Sequence, residues 1–451
     1  VAAPQKHFDE AREGAVAALV QYLASAPEVS GAAIVNDLFG RISVTLWVSD
    51  PSAFDAARTS LPASLAEACA QYWTGTIAVS DVTTPREETD TLRRAVWDEG
   101  VPVDDRDQLR LNDRHRHHTG WFLGADDREQ LWRLEGGPPV IAFYGFKGGA
   151  GRTTLLASYA MACAQRGERV AIVDLDLDAP GIGTLLAADD QGVTARWGTI
   201  DFLLESAFQL PLDDYFHTCT NEAISGAGRL EVFPTALLDD AYLPKLARVD
   251  LNVRDHVRAH PLGVLLQRIR EDRAPAVILL DGRAGLSPAA GLLLSGIAHL
   301  HVLVATSNPG SLSGLERVVR HLGYEQARAE LPQRECIVVQ AHVPDSSDAA
   351  RTAREHFASR VESMFRDGYY SQEPTDDDRT WSLEDLGSAI APHVPVPISY
   401  RGRLAHFSHL GEVAALLTTD PEYVELHHRI DERLGRHAVG SDPAGDEGAR
   451  G

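Results

Sequence analysis

Two hydrophobic periods run along this 451-residue chain. Phe8, Ala15, Leu19, Tyr22 and Leu23 recur at helical spacing, which predicts an amphipathic helix over residues 7–25. Ile42, Val44, Leu46 and Val48 alternate with Arg41, Ser43 and Thr45, the period of a half-buried strand. A helix is expected over residues 52–72, with Pro62 as a break or a new start, then a strand over 76–82 and a last helix over 88–97. These elements make a small α+β unit over residues 1–110. It holds no catalytic constellation and reads as an interaction module.

Beyond it the pattern changes. Residues 104–120 are polar and charge-rich, and the stretch 111–137 reads as a linker. His115, His117 and His118 lie there without a second ligand cluster, so a solvated loop is favoured over a metal site. Trp121 and Phe122 are expected to dock this linker on the larger domain downstream. Val140 to Tyr144 form an unbroken apolar run, the mark of a buried strand, and further apolar runs end at Asp174 and at Asp281. Leu155, Leu156, Tyr159, Ala160 and Cys163 share one helical face. Ala350, Ala353, Phe357, Val361 and Met364 form another stripe, inside an insertion near 345–390. The Gly- and Asp-rich tail, 437–451, is expected to be disordered.

Between the first run and its helix lies Lys147-Gly-Gly-Ala-Gly-Arg-Thr-Thr154. Gly148, Gly149 and Gly151 let the backbone turn tightly enough for successive N–H groups, with that of Ala150, to converge on an anion. A helix starting near Thr154 aims its N-terminus at the same phosphates, and the Thr153 hydroxyl is placed for Mg²⁺. Strand before and helix after are the context a phosphate loop demands. Asp174 and Asp281 stand at the carboxyl ends of buried strands, where open parallel sheets bind ligands. Buried acids there call for a cation, although loop capping is the alternative, above all for Asp176 and Asp178.

The motif resembles the deviant Walker A sequence of the MinD/ParA family, most closely the branch that reads KGGVGR. That resemblance implies a doubly wound, mostly parallel α/β domain over residues 138–436, binding ATP and Mg²⁺. Lys147 would then reach the phosphates of the opposite subunit in an ATP-sandwich homodimer. Residues 170–181 are similar to the family's second strand and first switch, which gives Asp174 a place near Mg²⁺ and Asp176 the orientation of the attacking water. Residues 277–285 look like the Walker B strand and second switch, with Asp281 on Mg²⁺ through water and the Gly285 N–H sensing the γ-phosphate. Residues 302–309 resemble the next strand and its Asn-Pro turn. Gln340 would end the strand that contacts the base, and Pro397 would belong to the loop that closes over adenine.

Arg152 occupies the position of the usual phosphate-loop lysine. Arginine keeps the charge and can grip phosphate bidentately, but it is longer and planar. Phosphoryl transfer depends on positioning, so slow turnover is the expected symptom. Arg283 suits either transition-state charge or an ion pair. Asn308 before Pro309 reads as a helix cap in preference to a base contact.

Charge and cysteine content narrow the remainder. With 42 basic and 65 acidic residues the net charge is −23, which argues against nonspecific DNA binding and so against a ParA-like partitioning motor. The four cysteines show no paired spacing, so neither a disulfide framework nor a zinc site is indicated. No apolar run is long enough to span a membrane, the tail is no amphipathic anchor, and a cytoplasmic location is expected. The reading is a slowly hydrolysing, dimerising ATPase that signals to an unidentified protein partner. A nucleotide-binding adaptor without hydrolysis is the alternative.

Overall fold

The structure, a computed structural model, describes residues 5–436 apart from 38, 49–50, 82–93, 99, 104–105, 115–120, 122–136, 190, 209, 252–259, 324–332, 345–346 and 373–379. The expected helix over 88–97 is therefore described only as the short turn Arg94–Asp98. His115, His117, His118, Phe122, most of the linker and the tail 437–451 lie outside the described residues. The chain divides into Val1–Thr119 and Gly120–Gly451, each with its own sheet.

In the first unit, α1 (Phe8–Ser25) and α2 (Pro51–Cys69) pack on one face of a sheet. Its strands are β1 (Val29–Asn36), β2 (Ile42–Val48), β3 (Trp73–Asp81), β4 (Val101–Val103) and β5 (Arg106–Asp113), in the order β3-β2-β1-β5-β4. Helix α2 runs unbroken through Pro62, contrary to the expected break. Ala57, Leu61, Leu65 and Cys69 are all buried at four-residue spacing, so tertiary packing holds the helix across the missing N–H. The polar stretch read as linker supplies β5, which pairs parallel with β1. Of its eight residues only Leu109 and Asn112 are fully buried, which hides a strand from a search for alternation.

The second unit is an eight-stranded sheet. Strand β6 (Val140–Tyr144) lies near its middle, between β10 (Val277–Gly282) and β11 (Leu300–Ala305). Beyond β10 come β7 (Arg169–Leu175), β9 (Arg229–Phe233) and β8 (His217–Cys219); beyond β11 come β12 (Cys336–Val343) and β13 (Val396–Ser399). All neighbours pair parallel except β8 with β9. Residues of β6 alternate between two cores. Ile141 and Phe143 face α3 (Arg152–Gln165), together with Leu417, Leu426 and Ile430 from the C-terminal helices. Val140 and Ala142 face Leu262, Leu265 and Leu266 of α4 (Pro261–Arg268), while Tyr144 meets α5 (Pro309–Leu322) and α6 (Ser347–Gly368). The domain is thus doubly wound α/β with the P-loop NTPase architecture. Trp121 docks on it, donating from Nε1 to the Ser287 carbonyl at 2.8 Å.

Candidate functional site

Where β6 ends, the chain turns through Gly145–Gly151 into α3. Gly149 (φ 75°) and Gly151 (φ 84°) adopt left-handed backbone, which side chains disfavour, and nothing would obstruct a Cβ at either. The loop thus needs glycine for its backbone and leaves open space above it. Helix α3 begins at Arg152, two residues earlier than its expected start near Thr154.

The acids are placed by strand register. Asp281 pairs with Asp174 across β10 and β7 and with Phe143 across β10 and β6. In-register residues of parallel strands share a face, so both carboxylates project toward the start of α3. Arg152 bridges two acids: Nε donates to Asp281 Oδ1 at 2.7 Å and Nη2 to Asp176 Oδ2 at 2.6 Å. The Thr153 hydroxyl donates to Asp281 Oδ2 at 2.8 Å. Asp174 accepts the N–H groups of Asp176 (3.0 Å) and Gly181 (3.3 Å).

Burial, then the Asp281 charge, pushes the Asp174 carboxyl well above the usual carboxylate range, against the two N–H bonds. Burial raises Asp281 as well, with Arg152 and Thr153 opposing. Burial alone would lower Arg152, but Asp281 and Asp176 outweigh it and hold the guanidinium above its ordinary value. Asp176 and Asp281 therefore share one cation, and Asp174 is held by backbone N–H groups alone. The donor set is short of positive charge, which fits a magnesium ion. Among the described residues no group of three or more His, Cys, Asp or Glu forms a metal cage. Magnesium sites need none, because phosphates and water commonly complete the shell.

A cavity of about 740 Å³ opens over the loop, lined among others by Lys147, Thr154, Arg283, His342, Tyr400 and Tyr423. Gly148, Gly149, Ala150, Gly151, Arg152, Thr153 and Asp176 line it too, whereas Asp174 and Asp281 lie buried beneath. Lys147 is exposed, its Nζ 5.5 Å from the Phe146 ring centroid. Gly285 has φ 82°, and its carbonyl accepts from the Tyr144 hydroxyl at 3.0 Å. Arg283 takes the ion-pair role, meeting Asp178 at 2.5 Å. Asn308 caps α5 by accepting from Gly310 N–H at 2.9 Å.

Two expected base contacts are not brought to the cavity wall. Gln340 is 1% exposed, and its amide donates to Ser307 Oγ (3.1 Å) and the Ala353 carbonyl (3.0 Å). Its chain neighbours Ala341 and His342 line the cavity instead. Pro397 yields likewise to Ile398, Ser399 and Tyr400. Sequence reading missed His342, which stands edge-on to Tyr400 with ring centroids 5.6 Å apart. Its backbone is left-handed, φ 58°, where β12 and β13 lose register between Gln340 and Val343. No local sequence signal marks that bulge.

A family model for the CobQ/CobB/MinD/ParA nucleotide binding domain matches residues 141–355. The iron-sulfur cluster carrier protein of Salmonella typhimurium is 36% identical over 66 residues, 15% of this chain and 18% of that protein. The ESX-1 secretion-associated protein EspI of Mycobacterium tuberculosis is 28% identical over 230 residues, 49% of this chain and 30% of that protein. The chain thus spans less than a third of the length of either curated relative. Among solved structures, the cell division ATPase MinD of Pyrococcus furiosus aligns at 20% identity and a TM-score of 0.40, covering 66% of this chain and 98% of that one. Glycine loop, register-matched acids and family model coincide on one stretch of sequence, residues 141–355, which is similar to the CobQ/CobB/MinD/ParA nucleotide binding domain.

Proposed function

We propose that the chain binds ATP with magnesium over its glycine loop, hydrolyses it slowly, and uses the bound state to form a homodimer that a protein partner reads. The observation that carries this reading is the cluster of Arg152, Thr153, Asp176 and Asp281 directly below an open phosphate loop, with Lys147 exposed at its rim. Gly148 to Thr154 would hold the phosphates. Thr153, Asp174 and Asp281 would hold the magnesium, which when bound neutralises phosphate charge. Lys147 makes no bond to the acid cluster, which supports reach toward a facing subunit. Leu286, beside Gly285, is 48% exposed, and Leu238 and Leu243 are 66% and 72% exposed, apolar surface suited to a protein partner. Among the described residues no helix is long and apolar enough to cross a membrane.

Light scattering coupled to size-exclusion chromatography, with ATP, ADP or no nucleotide, tests the reading. ATP is expected to shift monomer to dimer, Lys147→Ala to abolish the shift, and Asp176→Ala to prolong the dimer. A monomer in all three conditions sinks the dimer. Absence of a thermal shift at millimolar ATP sinks the binding. A second reading, a nucleotide-holding adaptor without hydrolysis, is favoured by one observation: Asp176, the residue that would orient water, is held by Arg152 at 2.6 Å. Zero turnover in wild type and in Arg152→Lys alike would select it.

A further inference from the structure

Among the described residues Arg152 is the only cation bonded to the acid cluster, and its position decides what else can enter. Its side chain is 11% exposed, and those of Asp176 and Asp281 are 10% and 1% exposed. Nε and Nη2 point to two different carboxylates, a bridge that suits the planar guanidinium fork. With Thr153 on Oδ2, both Asp281 oxygens are occupied, and Asp174 spends both of its oxygens on backbone N–H groups. The residues that would receive a divalent cation are thus already bonded to donors of the protein itself.

We propose that Arg152 is a built-in counter-cation that closes the metal site of the nucleotide-free protein. This inference rests on the nucleotide-binding reading and concerns how that site is regulated. If Arg152 turned toward phosphate with no other cation present, the buried carboxylates of Asp176 and Asp281 would lose the one cation bonded to them, which is strongly unfavourable. Release of Arg152 and entry of a divalent cation are therefore coupled. Metal alone finds the site shut, and nucleotide alone cannot draw Arg152 away without cost. Metal and triphosphate arriving together satisfy both sides, the carboxylates through the metal and the guanidinium through phosphate. The same coupling gives Arg152 a role at this position that a lysine, with one compact ammonium, fills less well.

The test uses the full chain and Mg²⁺ without nucleotide, read by thermal unfolding and by calorimetric titration. Wild type is expected to show the same melting temperature in EDTA and in excess Mg²⁺. Arg152→Met, close in length but uncharged, is expected to melt lower in EDTA, to recover several degrees with Mg²⁺, and to bind the metal at least about tenfold more tightly than wild type. Arg152→Lys, which keeps the charge and so safeguards folding, is expected to respond between the two. Mg²⁺ stabilising wild type as much as the variants, or leaving both variants unmoved, overturns the proposal. A separate arm with ATP plus Mg²⁺ on wild type keeps the underlying reading apart. No stabilisation there defeats nucleotide binding, whereas the metal-only arms report on the counter-cation alone.

Discussion

His342 adopts a left-handed backbone that residues other than glycine seldom occupy, and it does so on the wall of the cavity over the glycine loop. Strain of this kind, of order 1 kcal/mol or more, persists where the surroundings require it. The bulge turns the His342 ring out beside Tyr400, where two aromatic faces are suited to stack a base. His342→Gly should therefore leave stability unchanged or slightly raised while weakening nucleotide binding by about 1 kcal/mol, roughly fivefold. Titration of a fluorescent nucleotide checks it, and an unaltered affinity would remove His342 from the site. The cysteines carry a simpler expectation. All four are buried and free, with burial pushing Cys163 up to about 12 and Cys69 up to about 11. Thiolate is the reactive form, so native protein should resist a maleimide at pH 8 and take up four equivalents once unfolded. At this scale the sequence reveals residue types whose chemistry is local. Gly149, Gly151 and Thr153 announce a phosphate loop because the backbone and hydroxyl demands lie within a few positions. The partners of Arg152 stand 24 and 129 residues away, and no spacing rule reaches them.

Helix α5 shows how an element away from the cavity sets the loop. A Cβ placed on Gly314 would overlap the Phe146 ring, and Phe146 directly precedes Lys147. The helix therefore needs a gap on the face it turns to the loop. Gly314→Ala would raise helix propensity by up to about 1 kcal/mol, yet it must displace Phe146. The expected result is a lower melting temperature together with loss of the dimer proposed to form with ATP, read by thermal unfolding and light scattering. A stabilised variant that still dimerises would show that Phe146 is dispensable. Elements were legible where burial is continuous, as in β6, β7 and β10, because such runs keep at least four apolar residues in succession. They were illegible at edges and breaks. Strand β5 is mostly polar, and α2 passes through a proline that local propensity would have ended it at.

Across the whole molecule, acidity should act through buried histidines. Burial lowers His427 to about 3, and its Nε2 lies 2.6 Å from Ser158 Oγ. Burial also lowers His217, whose Nδ1 accepts the Ala195 N–H at 3.1 Å and so requires a neutral ring. Both bind protons more weakly folded than unfolded, so stability falls as pH drops below about 6.5, and for His427 the fall continues to about 3. Asp174 and Asp281, raised in the folded state, run the opposite way and gain stability as pH falls toward the ordinary carboxylate range. Comparing His427→Gln with wild type isolates the first effect: the variant should lose less melting temperature between pH 7 and pH 5. Equal losses would assign the acid sensitivity elsewhere.

The pairing of Asp281 with Asp174 across β10 and β7 also constrains how this gene can change length. Deleting one residue within Val277–Leu280 would shift the alternation and send the Asp281 position to the opposite face, away from Arg152 and Thr153. Loops have no such parity. Insertions and deletions in a natural or designed library of this domain should therefore survive in the connections between strands and vanish from β7 and β10. Where they do appear in those strands, they should come in pairs that restore the count.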